Sequence, residues 1–363
     1  MLIAICLILL IYLYFIFWII SGIKKSSNFS VNRSEQVYTP FSVIIAAHNE
    51  ESFIRDTLDD LAKQDYPTDK FQVIVVLDRC TDGTVEIARK MSEHHQNIDL
   101  IEIDEAKEGI SPKKYALQKG IEKAKYDSLV LMDADCRTQS EYLKTISAYF
   151  QAGVEVLLNI PKFPPAKNLI YPYLLPERLI TWGIGVAGIG HKKPFLAFGT
   201  TWAYSKKIFD KAGGFEKFSE SLSGDDDLLI YHMGKLWPGL AVCLNPAGWG
   251  LTRTPAKLRD FFIQRRRHHS AGKFYAPQVK AGYAVYHLAN LSLWTLPIFY
   301  PPAIIALLAK FLSDYFVLQR TAILFREKIG PLNFIVFESL NFIIMYLFNS
   351  KLYLLELYLT LFI

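Results

Sequence analysis

Cysteine is scarce in this chain. Cys6, Cys80, Cys136 and Cys243 are the only four in 363 residues, and no two stand at CxxC spacing. Neither a disulfide framework nor a cysteine zinc site is expected, and reduced thiols facing a cytosol suffice. Charge of one sign is nearly absent as an excess. The formal net charge is +5, too small to mark a nucleic-acid surface, so no nucleic-acid partner is expected. Basic residues beside membrane segments account for it. Glycine-rich phosphate loops are missing as well. No GxxxxGK(S/T) and no GxGxxG follows any apolar run, which removes the cradle of a P-loop or a dinucleotide site. Disorder is excluded by a composition 51% hydrophobic and 14% aromatic.

The apolar excess sits at the two ends. Met1 to Ile23 carries no charged residue, and at about 1.5 Å per residue it can cross a hydrocarbon core of about 30 Å. It lacks the basic start of a signal peptide, holds Tyr12, Tyr14 and Trp18 in its second half, and runs into Lys24 and Lys25. Residues 1–23 are therefore expected to be a retained transmembrane anchor with its lysines on the cytoplasmic side. A second apolar region, Ala281 to Leu318, is broken at Tyr300-Pro301-Pro302. Two passes of roughly 18 residues fit it better than one helix. Lys273 and Lys280 before the pair, and Arg320, Arg326 and Lys328 after it, suit an in–out–in hairpin. Lys310 and Asp314 stand at i, i+4 within the second pass, where they can neutralise each other. Pro331 to Asn349 is interrupted only by Glu338. The expectation is an integral protein of the cell inner membrane. Residues 281–363 form a C-terminal transmembrane region of about three helices, and the domain between the ends is cytoplasmic.

Between the ends, strand and helix patterns alternate. Phe41 to Ala47, Phe71 to Leu77, Ile98 to Ile103 and Ser128 to Met132 read as strands, apolar enough to be buried on both faces. Helical spacing runs from Glu50 to Lys63 and from about Val85 to Met91, and Ser111-Pro112 opens a third helix with serine as cap. This predicts an α/β domain with a mainly parallel, Rossmann-like sheet, whose ligands lie beyond the carboxyl ends of the strands. The residues to weigh there are His48-Asn49-Glu50, Asp78 and Asp133-Ala134-Asp135. Two carboxylates one residue apart at a strand end can hold Mg2+ or Mn2+ through oxygen, the ion sharing its shell with a substrate diphosphate. A solvated acidic turn accounts for the same two residues.

Seven segments then stand in a recognisable order: VIIAAHNEES (Val43 to Ser52), VVLDRCTDGT (Val75 to Thr84), SPKKYALQKGI (Ser111 to Ile121), LVLMDADC (Leu129 to Cys136), FGTTWAYSKKIFDKAGGF (Phe198 to Phe215), SGDDDLL (Ser223 to Leu229) and QRRRHHSAGK (Gln264 to Lys273). Together they resemble the inverting glycosyltransferases of family 2, with the GT-A fold, in their membrane-anchored form. The resemblance implies a GT-A domain over residues 38–275, ending in an interfacial helix. It implies that Ala47, His48, Asn49, Glu50, Asp78, Lys113 or Lys114, and Asp133 bind a UDP-, GDP- or dTDP-linked sugar. Asp133 and Asp135 would hold the metal, Asp135 more directly. Asp226 would be the base of a single inverting displacement, with Asp225 the alternative one residue earlier. Gln264, Arg265, Arg267 and His268 would line the acceptor and diphosphate site.

Two departures stand out. Leu77-Asp78 replaces a common pair of aspartates, and His268 replaces the tryptophan of the Gln-x-x-Arg-Trp element, weakening a stacking surface for a growing glycan. A basic interfacial helix with Phe261 and Phe262 in the lipid boundary also explains that last segment. The expected activity is metal-dependent sugar transfer to a lipid-linked or glycan acceptor at the membrane. The alternatives are a subunit of a processive polysaccharide synthase, working with export or polymerisation partners, and a non-catalytic glycan-binding scaffold. A nucleotidyltransferase would carry a glycine signature where AAHNEES has none.

Overall fold

The computed structural model describes residues 1–29, 31, 37–165, 170–255 and 258–344. In chain order its elements are α1 (Leu2–Ser27), β1 (Phe41–Ala47), α2 (Ile54–Ala62), β2 (Phe71–Asp78), α3 (Thr84–His94), β3 (Ile98–Ile103), α4 (Pro112–Lys123), β4 (Ser128–Asp133), α5 (Tyr142–Gln151), β5 (Val156–Leu158), β6 (Pro161–Lys162), α6 (Tyr171–Gly190), β7 (Thr201–Ser205), α7 (Lys206–Ala212), α8 (Asp227–Gly234), β8 (Leu240–Val242), β9 (Gly250–Leu251), α9 (Leu258–Ser270), α10 (Pro277–Phe299), α11 (Ile304–Leu324) and α12 (Pro331–Phe342).

Seven strands form one sheet in the order β3-β2-β1-β4-β7-β5-β8. The first four are parallel, β7 runs antiparallel to both β4 and β5, and β8 pairs parallel with β5. β1 lies between β2 and β4, so the winding reverses there. The crevice that such a reversal opens at the carboxyl ends of the strands is where α/β sheets bind ligands. The β-branched runs explain the burial. Val43 and Ile45 face one apolar layer beneath α2, α3 and α5, while Ile44, Ile74 and Leu131 face another. That second layer continues without a break into α1, α6 and α11 through Ile16, Val186 and Leu318.

Helix boundaries moved where side chains have another task. α2 begins at Ile54 rather than Glu50, because Asn49 takes a left-handed φ of +58° and the next residues form a turn. The expected serine cap of α4 is not made. Ser111 precedes the helix in extended conformation, but its Oγ is buried and accepts no bond from the first turn.

Among the described residues, two helices are long and apolar enough to cross a membrane, Leu2–Ser27 and Pro301–Leu324. α10 has comparable length but carries Lys280, His287 and Asn290. The chain turns between α10 and α11 at Pro301–Ala303, the break seen in the sequence. The end of the third expected stretch, residues 345–363, lies outside the described residues. α1 packs closely on α6, since a Cβ on Gly22 would meet the Ala187 carbonyl oxygen at 2.6 Å. The pair is pinned by Ser26 Oγ donating to the Val186 carbonyl at 2.7 Å and by Trp18 stacking on His191. A polar knot joins the helices further along. Lys310 Nζ donates to Asp314 at 2.7 Å and to Glu338 at 2.5 Å, and the Tyr12 hydroxyl donates to Asp314 at 2.7 Å. All four side chains are buried.

Candidate active site

The crevice collects its side chains from five places: the ends of β1, β2 and β4, the N-terminus of α4, and the turn into α8. The first place is the turn after β1. Ala47 is buried and His48 is exposed, its Nδ1 2.6 Å from the Asp78 carbonyl, tying the ends of β1 and β2. Asn49 Oδ1 accepts from the Thr81 N–H at 2.8 Å, and Thr84 Oγ1 accepts from the Glu50 N–H at 2.7 Å. The two turns are thus stitched by polar side chains. Burial pushes the Glu50 carboxyl up to about 7, helped by the nearby charges of Asp135 and Asp133. Asp78 is buried and its carboxylate is forked onto its own neighbour, Arg79, at 2.8 and 3.0 Å. Arg79, like Asn49, has a positive φ (+48°), a strained conformation that clusters at functional sites.

The second acidic group ends β4. Asp133 is the last strand residue, and its N–H donates to the Thr200 carbonyl at 2.9 Å. Burial raises the Asp135 carboxyl, and the charge of Asp133 raises it further. Lys113, in the first turn of α4, reaches across the crevice. Its Nζ lies 2.8 Å from Asp133 Oδ1 and 3.0 Å from Asp225 Oδ2. Lys114 turns the other way. It is buried and donates to the carbonyls of Phe218 and Ser221 at 2.9 and 2.5 Å, and burial lowers its ammonium to about 8. Of the two lysines, Lys113 joins the acidic residues while Lys114 fixes the loop before Gly224.

Three consecutive aspartates at the start of α8 are separated by their partners. Burial works against charge on Asp225, but the Lys113 ammonium beside it outweighs this and holds the carboxyl below its usual range. Burial and then the charge of Asp225 push Asp226 up to about 6. Asp226 Oδ1 accepts from the Asp227 N–H at 2.8 Å and caps the helix, while Oδ2 faces Gly199, where a Cβ would come within 2.9 Å. Both oxygens of Asp227 are taken, by the Ala197 N–H and the Tyr275 hydroxyl, each at 2.8 Å. Tyr275 follows α9, so this last bond couples α9 to the acidic turn. Within α9, Arg265 is forked onto Glu177 of α6 at 2.7 and 2.5 Å, Gln264 and His268 are half-buried, and Arg267 is exposed.

The structure therefore brings Glu50, Lys113, Asp133, Asp135, Asp225 and Asp226 together. It sets Lys114 and Arg265 to holding the scaffold. Gly199 and Tyr275 were given no role from sequence. Gly199 lay in a matched segment and signalled only small size, and nothing marked Tyr275 among twenty tyrosines.

Residues 42–213 match the family described as Glycosyl transferase family 2. The chain is similar to the probable glycosyltransferase YdaM of Bacillus subtilis strain 168, 28% identical over 246 residues, covering 64% of this chain and 57% of that protein. It is also similar to the beta-monoglucosyldiacylglycerol synthase of Synechocystis, 24% identical over 222 residues, covering 58% of this chain and 43% of the other. The chain thus spans about half the length of the curated relatives it matches. In fold it is similar to the mannosyltransferase PcManGT from Pyrobaculum calidifontis, solved with GDP-Man and Mn2+. That likeness has a TM-score of 0.59, 21% identity, and covers 90% of this chain and 93% of that one. With the parallel half-sheet, the acid-ended β4 and the match over 42–213, that segment belongs to the family 2 glycosyltransferases, and the chain has the GT-A fold.

Proposed function

We propose that this protein transfers a sugar, with inversion, from a nucleoside-diphosphate donor to a membrane-associated acceptor. The observation that carries the proposal is the Lys113 ammonium held between Asp133 and Asp225, which fastens the strand-end acids to the acidic turn within a single crevice. The donor nucleoside lies along Ala47, His48, Asn49 and Glu50, with Asp78 and Arg79 beyond. The acceptor hydroxyl approaches Asp226 from the side of α9. Its proton passes to the Asp226 carboxylate as the oxygen attacks the anomeric carbon, and the bond from that carbon to the diphosphate breaks on the opposite face. One base and one displacement give inverted configuration. Asp225, kept ionised by Lys113, sharpens the difference between the two neighbouring acids.

Asp133 and Asp135 fit a divalent cation in their chemistry: two hard carboxylates at a strand end, partly open to solvent. Among the described residues no third His, Cys, Asp or Glu completes a metal cluster with them. That suits Mg2+ or Mn2+, which keep waters and share their shell with a diphosphate. Held by Asp133 and Asp135, such an ion would supply charge neutralisation for the nucleoside diphosphate. The two apolar helices support an acceptor at a membrane, where a lipid or lipid-linked glycan presents its hydroxyl. The name of the Synechocystis relative, which makes a glucosylated diacylglycerol, supports a lipid acceptor. With His268 at the end of the α9 element, a single transfer is favoured over processive synthesis.

The test is transfer by the full chain in lipid nanodiscs, against UDP-, GDP- and dTDP-sugars with Mn2+ or Mg2+ and total membrane lipid as acceptor. Formation of a glycolipid of inverted anomeric configuration, abolished by EDTA, is expected. No product and no nucleotide binding with any donor would leave a scaffold with the family's fold.

A further inference from the structure

We propose that Arg253, stacked on Phe53, is a further diphosphate-binding group of the donor pocket, an inference that rests on the donor reading above. The backbone sets its position. Arg137 and Leu251 exchange N–H···O=C bonds in both directions at 2.8 Å, forming an antiparallel bridge. This isolated bridge holds the segment leading to Arg253 against the chain that follows the turn after β4. The Thr252 N–H donates to the Lys162 carbonyl at 2.8 Å and fixes the strand just before it. The Arg253 guanidinium carbon lies 3.3 Å above the centre of the Phe53 ring. Phe53 belongs to the turn that carries Glu50, its N–H donating to the Glu50 carbonyl at 2.9 Å. Arg253 therefore bridges the turn after β1 and the turn after β4 at the mouth of the crevice.

Three other cations around the crevice are committed. Arg79 is forked onto Asp78, Arg137 onto Asp60 at 2.6 and 2.8 Å, and Lys113 is shared by two aspartates. Among the described residues no carboxylate lies within ion-pair distance of Arg253, and its side chain is exposed. A guanidinium seated over a ring has its N–H groups at its rim, and these form a fork that matches two phosphate oxygens. A lysine would supply the charge without the fork. The feature was illegible in sequence because Thr-Arg-Thr before α9 looks like an ordinary polar linker.

The experiment measures binding of UDP, GDP, UMP and GMP to the full chain in nanodiscs by calorimetry with Mn2+ present, together with thermal midpoints. Arg253→Ala is expected to weaken the preferred nucleoside diphosphate about tenfold or more and the monophosphate much less, without a shift in midpoint. Arg253→Lys should recover little of that affinity, and Phe53→Leu, which keeps an apolar contact but loses the flat ring, should fall between. Diphosphate affinity unchanged in Arg253→Ala overturns the proposal while leaving the donor reading standing. An equal loss for mono- and diphosphate overturns it too, since the residue would then not discriminate the second phosphate. Absence of nucleotide binding by the unaltered protein overturns the donor reading and this inference together.

Discussion

Asp225, Asp226 and Asp227 share a composition and differ only in what surrounds them. Lys113 keeps the first ionised, two hydrogen bonds occupy both oxygens of Asp227, and Asp226 holds Oδ2 against Gly199. If Asp226 is the base, transfer needs it deprotonated. With its carboxyl at about 6, the rate should rise with pH through about 6 and level off above, the acid form dominating below. Asp226→Asn should lose on the order of a hundredfold or more in kcat, typical of base removal, yet bind nucleoside diphosphate as before. Asp227→Asn should be milder. Single-turnover transfer and calorimetry on the same preparations check both, and a dead Asp225→Asn beside an active Asp226→Asn would move the base one residue back. The charged members of the site were visible in the sequence because clustered acids at strand ends stand out. Their partners were not, since Gly199 and Tyr275 acquire meaning only when the chain folds them against an aspartate.

α9 is held at its middle and just beyond its C-terminus. Its last residues lead to Tyr275 on Asp227, and Arg265 reaches Glu177 in α6, with Tyr173, Phe261 and Phe337 closing an apolar patch behind the fork. Both members of the fork are mostly buried. Breaking a mostly buried ion pair costs about 3–5 kcal/mol. Glu177→Ala is therefore expected to free α9. Hydrogen exchange over residues 258–270 should rise while exchange in β1 and β4 stays unchanged, and Arg265→Lys should not restore protection because lysine cannot fork. Uniform exchange across the chain would mean the contact matters to the whole fold rather than to α9. The four parallel strands could be read from their apolar runs. α6 could not, because Pro172, Pro176 and four glycines resemble helix breakers. Part of the glycine content serves close packing: a Cβ on Gly185 would meet the Phe198 ring at 2.8 Å. The antiparallel β7 was equally hidden, since strand direction leaves no mark in an apolar run.

At the scale of the molecule, one apolar cluster runs from the sheet into the long helices, so crevice and helices form a continuous body rather than a domain on a tether. The Lys310–Asp314–Glu338 knot with Tyr12 is the polar centre of that helical part. The sequence showed the i, i+4 pair but not its third member, 28 residues away on another helix. Lys310→Met would leave two carboxylates buried together, and a loss of about 3–5 kcal/mol is expected. Replacing Lys310, Asp314 and Glu338 together by leucine should recover much of it. Thermal unfolding in detergent distinguishes the two, and a Lys310→Met midpoint equal to wild type would show that the knot carries no net energy.

The knot also sets an order in time. Tyr12 and its acceptor Asp314 stand 302 residues apart, and at roughly 5–20 residues per second of synthesis the first helix waits about 15–60 s for that partner to be made. Throughout that interval the Tyr12 hydroxyl, fully covered in the finished protein, must find water, lipid headgroup or chaperone. The GT-A strands emerge and can pair meanwhile. A ribosome that stalls before α11 thus leaves a sheet able to close while the helix that came first still lacks its place.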